Sequence, residues 1–130
     1  MRMPIILFLA ALLRTPALAA ESTDRFFQAS DGTRLHYTES GTLTARTIVL
    51  VPGWTMPAWI WDAQIRALSQ RYRVVAFDPR GQGSSDVPRT GYEPLRRSKD
   101  IGDLIGRLGP ERVLLVAWSL GVLDTLAFIH

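Results

Sequence analysis

The stretch that decides the fold is Glu111-Arg112-Val113-Leu114-Leu115-Val116-Ala117-Trp118-Ser119-Leu120-Gly121-Val122. Its apolar, β-rich run at 113–116 is typical of a strand buried on both faces in a parallel sheet. The residues from Leu120 to Ile129 are typical of a helix, so Ser119 stands alone between strand and helix. Small residues flank it, Ala117 and Gly121, as so sharp a reversal requires. The pattern predicts a bent backbone that lifts the Ser119 hydroxyl clear of the sheet.

The pentapeptide Ala117-Trp118-Ser119-Leu120-Gly121 resembles the nucleophile elbow of the α/β-hydrolase superfamily, whose usual form is Gly-x-Ser-x-Gly. Alanine in place of the first glycine is compatible with the family's small residues around the nucleophile. The resemblance implies that Ser119 is the catalytic nucleophile. A simpler interpretation stays open here, because serine is also a favoured N-cap residue of any helix that follows a strand.

A second segment, Asp78-Pro79-Arg80-Gly81-Gln82-Gly83-Ser84-Ser85-Asp86, is very similar to the family's Asp-x-Arg-Gly-x-Gly-x-Ser-Asp segment. In the family it mainly supports the fold, and the resemblance gives that role to Asp78 and Arg80. The rival interpretation is the Gly-x-Gly-x-x-Gly loop of dinucleotide-binding proteins. That loop needs a third glycine where this sequence has Asp86.

A third segment, Pro52-Gly53-Trp54-Thr55, follows the apolar run at 47–51 and resembles the family's His-Gly-x loop. The resemblance implies that the backbone N–H groups of Trp54 and Leu120 form the oxyanion hole. Proline replaces the family's histidine at 52, so the support of this loop is left open. Ser119, Trp54 and Leu120 are therefore the candidate catalytic residues.

The order of the elements predicts an α/β fold. Asp31-Gly32 between β-like runs at 26–29 and 34–39 indicates a hairpin. Strands are expected at 47–51 and 73–77, with a helix at 58–70 between them. A second helix follows, which carries an apolar stripe at 101–108 and stops at Gly109-Pro110. The prediction is an open, mostly parallel sheet with helices on both faces and an N-terminal antiparallel hairpin. The candidate site would lie at the carboxyl ends of the parallel strands.

Residues 1–20 predict a secretory signal peptide, with Arg2, an apolar run at 5–13, Pro16 and an Ala-x-Ala site before cleavage at Ala19 or Ala20. The apolar run is too short to span a bilayer. The prediction is a secreted or periplasmic protein without stable membrane insertion after cleavage. The alternatives are an uncleaved N-terminal membrane anchor and an ordinary amphipathic helix. Residues 21–130 would then form one domain.

Composition gives no reason to propose a nucleic-acid partner. Fifteen basic and twelve acidic residues give +3. Setting aside Arg2 and Arg14 of the predicted signal peptide leaves 13 minus 12, or +1. The cluster of Arg96, Arg97 and Lys99 is expected to form the solvated side of a helix. The chain has no cysteine, one lysine and no asparagine. It therefore forms no disulfide, and its composition suggests a GC-rich bacterial genome.

A serine nucleophile needs a general base, and that base needs an acid to orient it. The resemblance implies that both follow Ser119, where only Asp124 and His130 occur. On a continuous helix His130 would lie about 16 Å along the axis from Ser119, too far to reach it. Both histidines, His36 and His130, are expected to be structural or surface residues. The sequence thus resembles the N-terminal half of a hydrolase domain, truncated after the helix that follows the elbow.

The resemblance implies a serine hydrolase, with carboxylic esters that carry an apolar acyl group as the first choice of small-molecule substrate and an acyl-enzyme on Ser119. No cofactor or metal is implied, and Trp54 and Trp118 would give the pocket an apolar wall. A serine nucleophile argues against the epoxide hydrolase and haloalkane dehalogenase branches, whose nucleophile is a carboxylate. Lipase, thioesterase, peptidase, cofactor-free haloperoxidase and carbon-carbon hydrolase activities stay open. So does a non-catalytic binding protein in which Ser119 only caps a helix.

The sequence does not indicate the oligomeric state. The strand at 112–117 would present a bare hydrogen-bonding edge in this fragment. We therefore expect the fragment alone to aggregate or to stay partly unfolded. We also expect it to be inactive, because the acid and the histidine of the triad are missing.

Overall fold

A computed structural model describes residues 21–109 and 112–130. The predicted signal peptide at 1–20 and Pro110 of the predicted helix stop lie outside the described residues. Within the described ranges, no helix is long and apolar enough to cross a membrane. The elements in chain order are β1 (Thr23–Gln28), β2 (Arg34–Ser40), β3 (Thr47–Val51), a 3-10 helix (Ala58–Trp61), α1 (Asp62–Leu68), β4 (Arg73–Asp78), α2 (Pro94–Leu108), β5 (Val113–Ala117) and α3 (Leu120–Ile129).

The strands form one open mixed sheet in the order β1-β2-β4-β3-β5. Strand β3 pairs in parallel with both β4 and β5, while β2 runs antiparallel to β1 and β4. The predicted α/β fold with an N-terminal hairpin is confirmed. Because β3, β4 and β5 point the same way, the loops after them meet at one edge of the sheet.

Two apolar cores cover the two faces of the sheet. On one face, α2 packs against the strands through Ile101 and Leu104. On the other, the 3-10 helix and α1 pack through Trp61 and Ile65. Both apolar stripes were predicted from helical spacing, and β3 is buried along its whole length, as its continuous apolar sequence indicates.

The helix predicted at 58–70 is shorter and begins differently. Its first turn is a 3-10 turn, in which the Ile60 N–H donates to the Pro57 carbonyl at 3.1 Å. The Ala58 N–H donates to the Asp78 carboxylate, which ties this turn to the end of β4. The α-helical part ends at Leu68.

The prediction that Arg96, Arg97 and Lys99 form a solvated face is wrong for Arg96 and Arg97. The Arg96 side chain is only 13% exposed and pairs with Asp100 at 2.8 Å and Asp103 at 3.0 Å.

Arg97 is the more deeply buried of the two arginines. Its side chain is buried, and its guanidinium donates to both carboxylate oxygens of Asp124 at 2.9–3.0 Å. Helix α3 packs on α2 and brings that carboxylate to Arg97, so the ion pair is the physical reason for the burial. Lys99 is exposed, as expected.

Candidate active site

Ser119 lies at the sharp turn between β5 and α3. Its φ of 53° and ψ of −122° are rare for a residue with a side chain, and such backbone strain costs about 1–3 kcal/mol. Hydrogen bonds hold the turn, from the Trp118 N–H to the Val51 carbonyl at 3.1 Å and from the Gly121 N–H to the Trp118 carbonyl at 2.9 Å. The residue is exposed, and its side chain makes no capping hydrogen bond to α3. The interpretation of Ser119 as a simple N-cap therefore lacks the bond that defines one.

Close backbone approach explains the small residues around Ser119. A Cβ atom at Gly121 would lie 2.5 Å from the Pro52 carbonyl oxygen and 2.7 Å from that of Val51. A Cβ atom at Gly53 would lie 3.0 Å from the Ser119 Cβ. The loop after β3 therefore passes directly against the serine, as the strand order requires.

That loop carries Trp54, which lines a small hollow together with Leu120. Within the described part of the chain, neither of their backbone N–H groups donates a hydrogen bond to another residue. The Trp54 ring is half exposed and meets Tyr92 edge-on at 6.1 Å between ring centroids. The structure thus places the loop that carries the candidate oxyanion amide of Trp54 beside Ser119. The other candidate amide belongs to Leu120, the residue that follows Ser119.

Gln82 holds this loop and was not singled out from the sequence. Its side-chain carbonyl accepts the Thr55 N–H, and its amide group donates to the carbonyls of Gly53 at 3.2 Å and Met56 at 3.1 Å. Gln82 is buried, and Thr55 has a φ of 61°. No local sequence pattern singles Gln82 out, because its hydrogen bonds join two loops that are distant in the chain.

Asp78 joins three segments at the end of β4. Besides the Ala58 N–H, its carboxylate accepts the Ser84 N–H at 2.9 Å and lies 2.7 Å from His36 Nδ1. His36 is buried, and its Nε2 lies 2.9 Å from Asp24. His36 is therefore a structural residue of the hairpin, as expected, and Asp78 supports the fold.

Arg80 is fully buried between two carboxylates. It donates to both oxygens of Asp100 at 2.6 and 2.7 Å and to Asp31 at 2.9 Å. Burial alone would lower the pKa of Arg80, but the hydrogen bonds and charges of these carboxylates outweigh it and raise the pKa. For Asp31 the effects have the opposite signs. Burial alone would raise the pKa of this carboxyl group, but hydrogen bonds from Thr33 and Arg80 lower the pKa to about 2. This network joins the hairpin to β4 and α2.

The Arg97–Asp124 pair also lines the hollow that contains Trp54 and Leu120. Burial raises the pKa of Asp124, and the hydrogen bonds and charge of Arg97 oppose that rise. Sequence reasoning missed the pair, because the two residues lie on different helices and show no common local pattern. Asp124 is thus engaged by an arginine and orients no histidine in the described residues.

The described residues place no histidine in hydrogen-bond contact with Ser119. His36 is held in the hairpin, and His130 follows the last turn of α3. A separate hollow of about 290 Å³ beside His36 and Trp59 does not include Ser119. Among the described residues, the structure therefore brings together the serine and the loop with the candidate oxyanion amide, and it places no histidine beside them.

Comparison with known proteins agrees with this geometry. Residues 48–128 match the model of the alpha/beta hydrolase family. The chain is 32% identical to a soluble epoxide hydrolase of Corynebacterium sp. (strain C12) over 91 residues, which are 70% of this chain and 31% of that protein. It is 36% identical to a non-heme haloperoxidase of Rhodococcus erythropolis over 97 residues, covering 74% and 35% of the two chains.

A solved structure of an esterase from Exiguobacterium antarcticum superposes with a TM-score of 0.76 at 31% identity, covering 80% of this chain and 38% of that one. The chain spans about a third of the length of these curated relatives. The family match extends from β3 to the end of α3 and includes the serine turn and both supporting loops. On these grounds, the chain belongs to the alpha/beta hydrolase family.

Proposed function

We propose that this chain is part of a serine hydrolase that cleaves carboxylic esters with apolar acyl groups. The observation that carries the proposal is the strained, exposed Ser119, which makes no capping bond and stands against the loop with the Trp54 amide. A strained backbone at an exposed hydroxyl is typical of a functional residue, because folding alone gains nothing from it.

In the proposed reaction, Ser119 Oγ attacks the ester carbonyl carbon and gives its proton to a general base. The carbonyl oxygen becomes an oxyanion that accepts hydrogen bonds from the Trp54 and Leu120 amides. Collapse of the tetrahedral intermediate expels the alcohol, which takes a proton from the base, and leaves the acyl group on Ser119. Water then releases the acid. In the family's chain order the base is a histidine that follows the nucleophile.

The choice of ester over epoxide rests on the nucleophile. Named relatives include both an epoxide hydrolase and an esterase. A carboxylate is ionised at neutral pH and can open an epoxide directly, whereas an alcohol must lose a proton as it attacks. Serine at position 119 with oxyanion donors beside it suits a carbonyl substrate, because negative charge develops on the carbonyl oxygen.

Covalent labelling tests the proposal in the full-length protein that contains this chain. A fluorophosphonate probe should modify Ser119 stoichiometrically, as mapped by mass spectrometry. Ser119→Ala should abolish labelling and lower the turnover of p-nitrophenyl butyrate roughly 10⁴-fold or more. The matched control is Ser84→Ala, since Ser84 is an exposed serine at the same sheet edge that offers only its backbone N–H to Asp78.

Two results would contradict the proposal. An unlabelled Ser119 in the folded full-length protein would favour a non-catalytic binding protein of this family. Hydrolysis of styrene oxide without hydrolysis of any p-nitrophenyl ester would overturn the choice of substrate. A preference for butyrate over acetate esters is expected, because the exposed Trp54 and Trp118 rings offer apolar surface near the serine.

A further inference from the structure

We propose that Gln82 is a positioning residue that fixes the oxyanion loop, here the residues 53–56, against Ser119. The inference rests on the proposed function, because it assigns to Gln82 the placement of the Trp54 amide. Gln82 comes from the loop after β4 and lies between Gly81 and Gly83, so it reaches the oxyanion loop from the neighbouring strand.

The three hydrogen bonds of Gln82 are made to residues on both sides of Trp54 in the sequence. Its carbonyl oxygen accepts from Thr55, the residue after Trp54, and its amide nitrogen donates to the carbonyl of Gly53, the residue before it, and to that of Met56. A carboxylate could accept but not donate, and a lysine could donate but not accept. Only a side-chain amide, with both functions, matches this set of loop groups at this reach.

Backbone strain at Thr55 explains why such support is needed. Thr55 is β-branched and has a φ of 61°, a conformation that β-branched residues rarely adopt. The Thr55 N–H donates to Gln82, and the loop's own backbone contributes a long hydrogen bond of 3.4 Å from the Met56 N–H to the Gly53 carbonyl. Without Gln82 we expect Thr55 to relax toward a negative φ, and the Gly53 carbonyl would also lose its hydrogen bond. Both changes would allow rotation of the Gly53–Trp54 peptide, which carries the Gly53 carbonyl and the Trp54 N–H.

Rotation of that peptide would act on the transition state more than on substrate binding. An oxyanion donor contributes about 10²- to 10³-fold to kcat, and a displacement of about 1 Å at a reacting group can cost 10²-fold. Gln82 donates and accepts only within the protein, so its loss should leave KM nearly unchanged.

The test uses steady-state hydrolysis of p-nitrophenyl butyrate by the full-length protein. Gln82→Met keeps the side-chain volume but removes all three bonds, and we expect kcat to fall about 10- to 100-fold with KM changed less than about threefold. Gln82→Glu keeps the acceptor for Thr55 but turns a carboxylate oxygen toward the carbonyls of Gly53 and Met56, so at neutral pH it should lose at least as much activity. Gln64→Met is the matched control, because Gln64 is exposed on α1, and its kinetics should equal those of the wild type.

The outcomes separate this inference from the proposed function. A wild-type protein that neither hydrolyses the ester nor reacts with fluorophosphonate overturns both. An active wild type with unchanged kcat in Gln82→Met, or with the effect confined to KM, overturns the role of Gln82 alone. Thermal melting checks folding, and loss of the folded state in both Gln82 variants would make Gln82 a residue of general stability and also overturn the inference.

Discussion

At the scale of single residues, the candidate site depends on two glycines, Gly53 and Gly121, whose lack of a Cβ atom allows close backbone approach. Gly121 lets α3 start directly against the end of β3, and Gly53 leaves room for the Ser119 side chain. The strain at Ser119 persists because these contacts and the bond from Trp118 to Val51 outweigh it. Adding one methyl group is therefore an informative perturbation.

Gly121→Ala should destabilise the protein by roughly 1–3 kcal/mol and reduce fluorophosphonate labelling of Ser119. The added Cβ would overlap the carbonyl oxygens of Pro52 and Val51, which are backbone atoms that cannot move away freely. Chemical denaturation and labelling rates measure the two effects on the full-length protein.

Gly106→Ala is the control for that substitution. Gly106 is exposed in α2, and a Cβ there has no atom within 4 Å. Alanine should stabilise the helix by about 0.5–1 kcal/mol through its higher helix propensity. If both alanine variants changed stability equally, close packing at Gly121 would not be the reason for its glycine.

At the scale of elements, α2 and α3 are joined by a buried ion pair. Removing one partner leaves the other charge buried without compensation, which typically costs about 3–5 kcal/mol. Asp124→Leu should therefore lower the free energy of unfolding by about that amount, as measured by urea denaturation.

The double variant Arg97→Met with Asp124→Leu should recover a large part of this loss, because no uncompensated charge then remains. Recovery will be incomplete, since Arg97 also donates to the Tyr92 carbonyl at 2.6 Å. A double variant that is less stable than the sum of the two single variants predicts would contradict this account of the pair.

The elements themselves could be predicted well from the sequence. Continuous apolar runs predicted β3, β4 and β5, and α3 has the predicted bounds, from Leu120 to Ile129. These signals are local. The burial of Arg97 was mispredicted, because its partner on α3 is distant in sequence and a charged residue beside Arg96 and Lys99 resembles a solvated face.

The sharp turn at Ser119 could be predicted from the sequence, because it depends on neighbouring residues. The hydrogen bonds between loops could not be predicted, because they depend on side chains that are distant in the chain. Small residues around Ser119 indicated a sharp turn, and the turn is there. The role of Gln82 could not be predicted, because it needs the loops after β3 and β4 to meet, and hydrogen bonds from a side-chain amide leave no periodic pattern in a sequence.

At the scale of the whole molecule, one side of the described structure is apolar and uncovered. Within residues 21–109 and 112–130, β5 pairs with β3 alone. Strand β5 is less buried than β3, and α3 exposes most of its apolar side chains. The exposed apolar residues on β5 and α3 and between them are Leu114, Trp118, Val122, Leu123, Leu126, Phe128 and Ile129.

Residues 21–130 expressed alone should therefore form soluble aggregates or precipitate. An unpaired strand edge beside an apolar surface favours association between chains. Size-exclusion chromatography with light scattering measures the effect, and Leu114→Lys with Leu123→Lys should reduce it. A monomer that melts cooperatively would contradict the prediction.

The close approach of Gly53 to Ser119 also determines when, during folding, the proposed reactivity of Ser119 can arise. Parallel pairing of β3 with β5 joins segments distant in the chain, and such non-local pairing forms slowly during folding. Until the two strands align, position 119 is an ordinary alcohol on a flexible polypeptide. Under the proposed function, the nascent chain should consequently not react with esters or with a fluorophosphonate probe until β3 and β5 have paired.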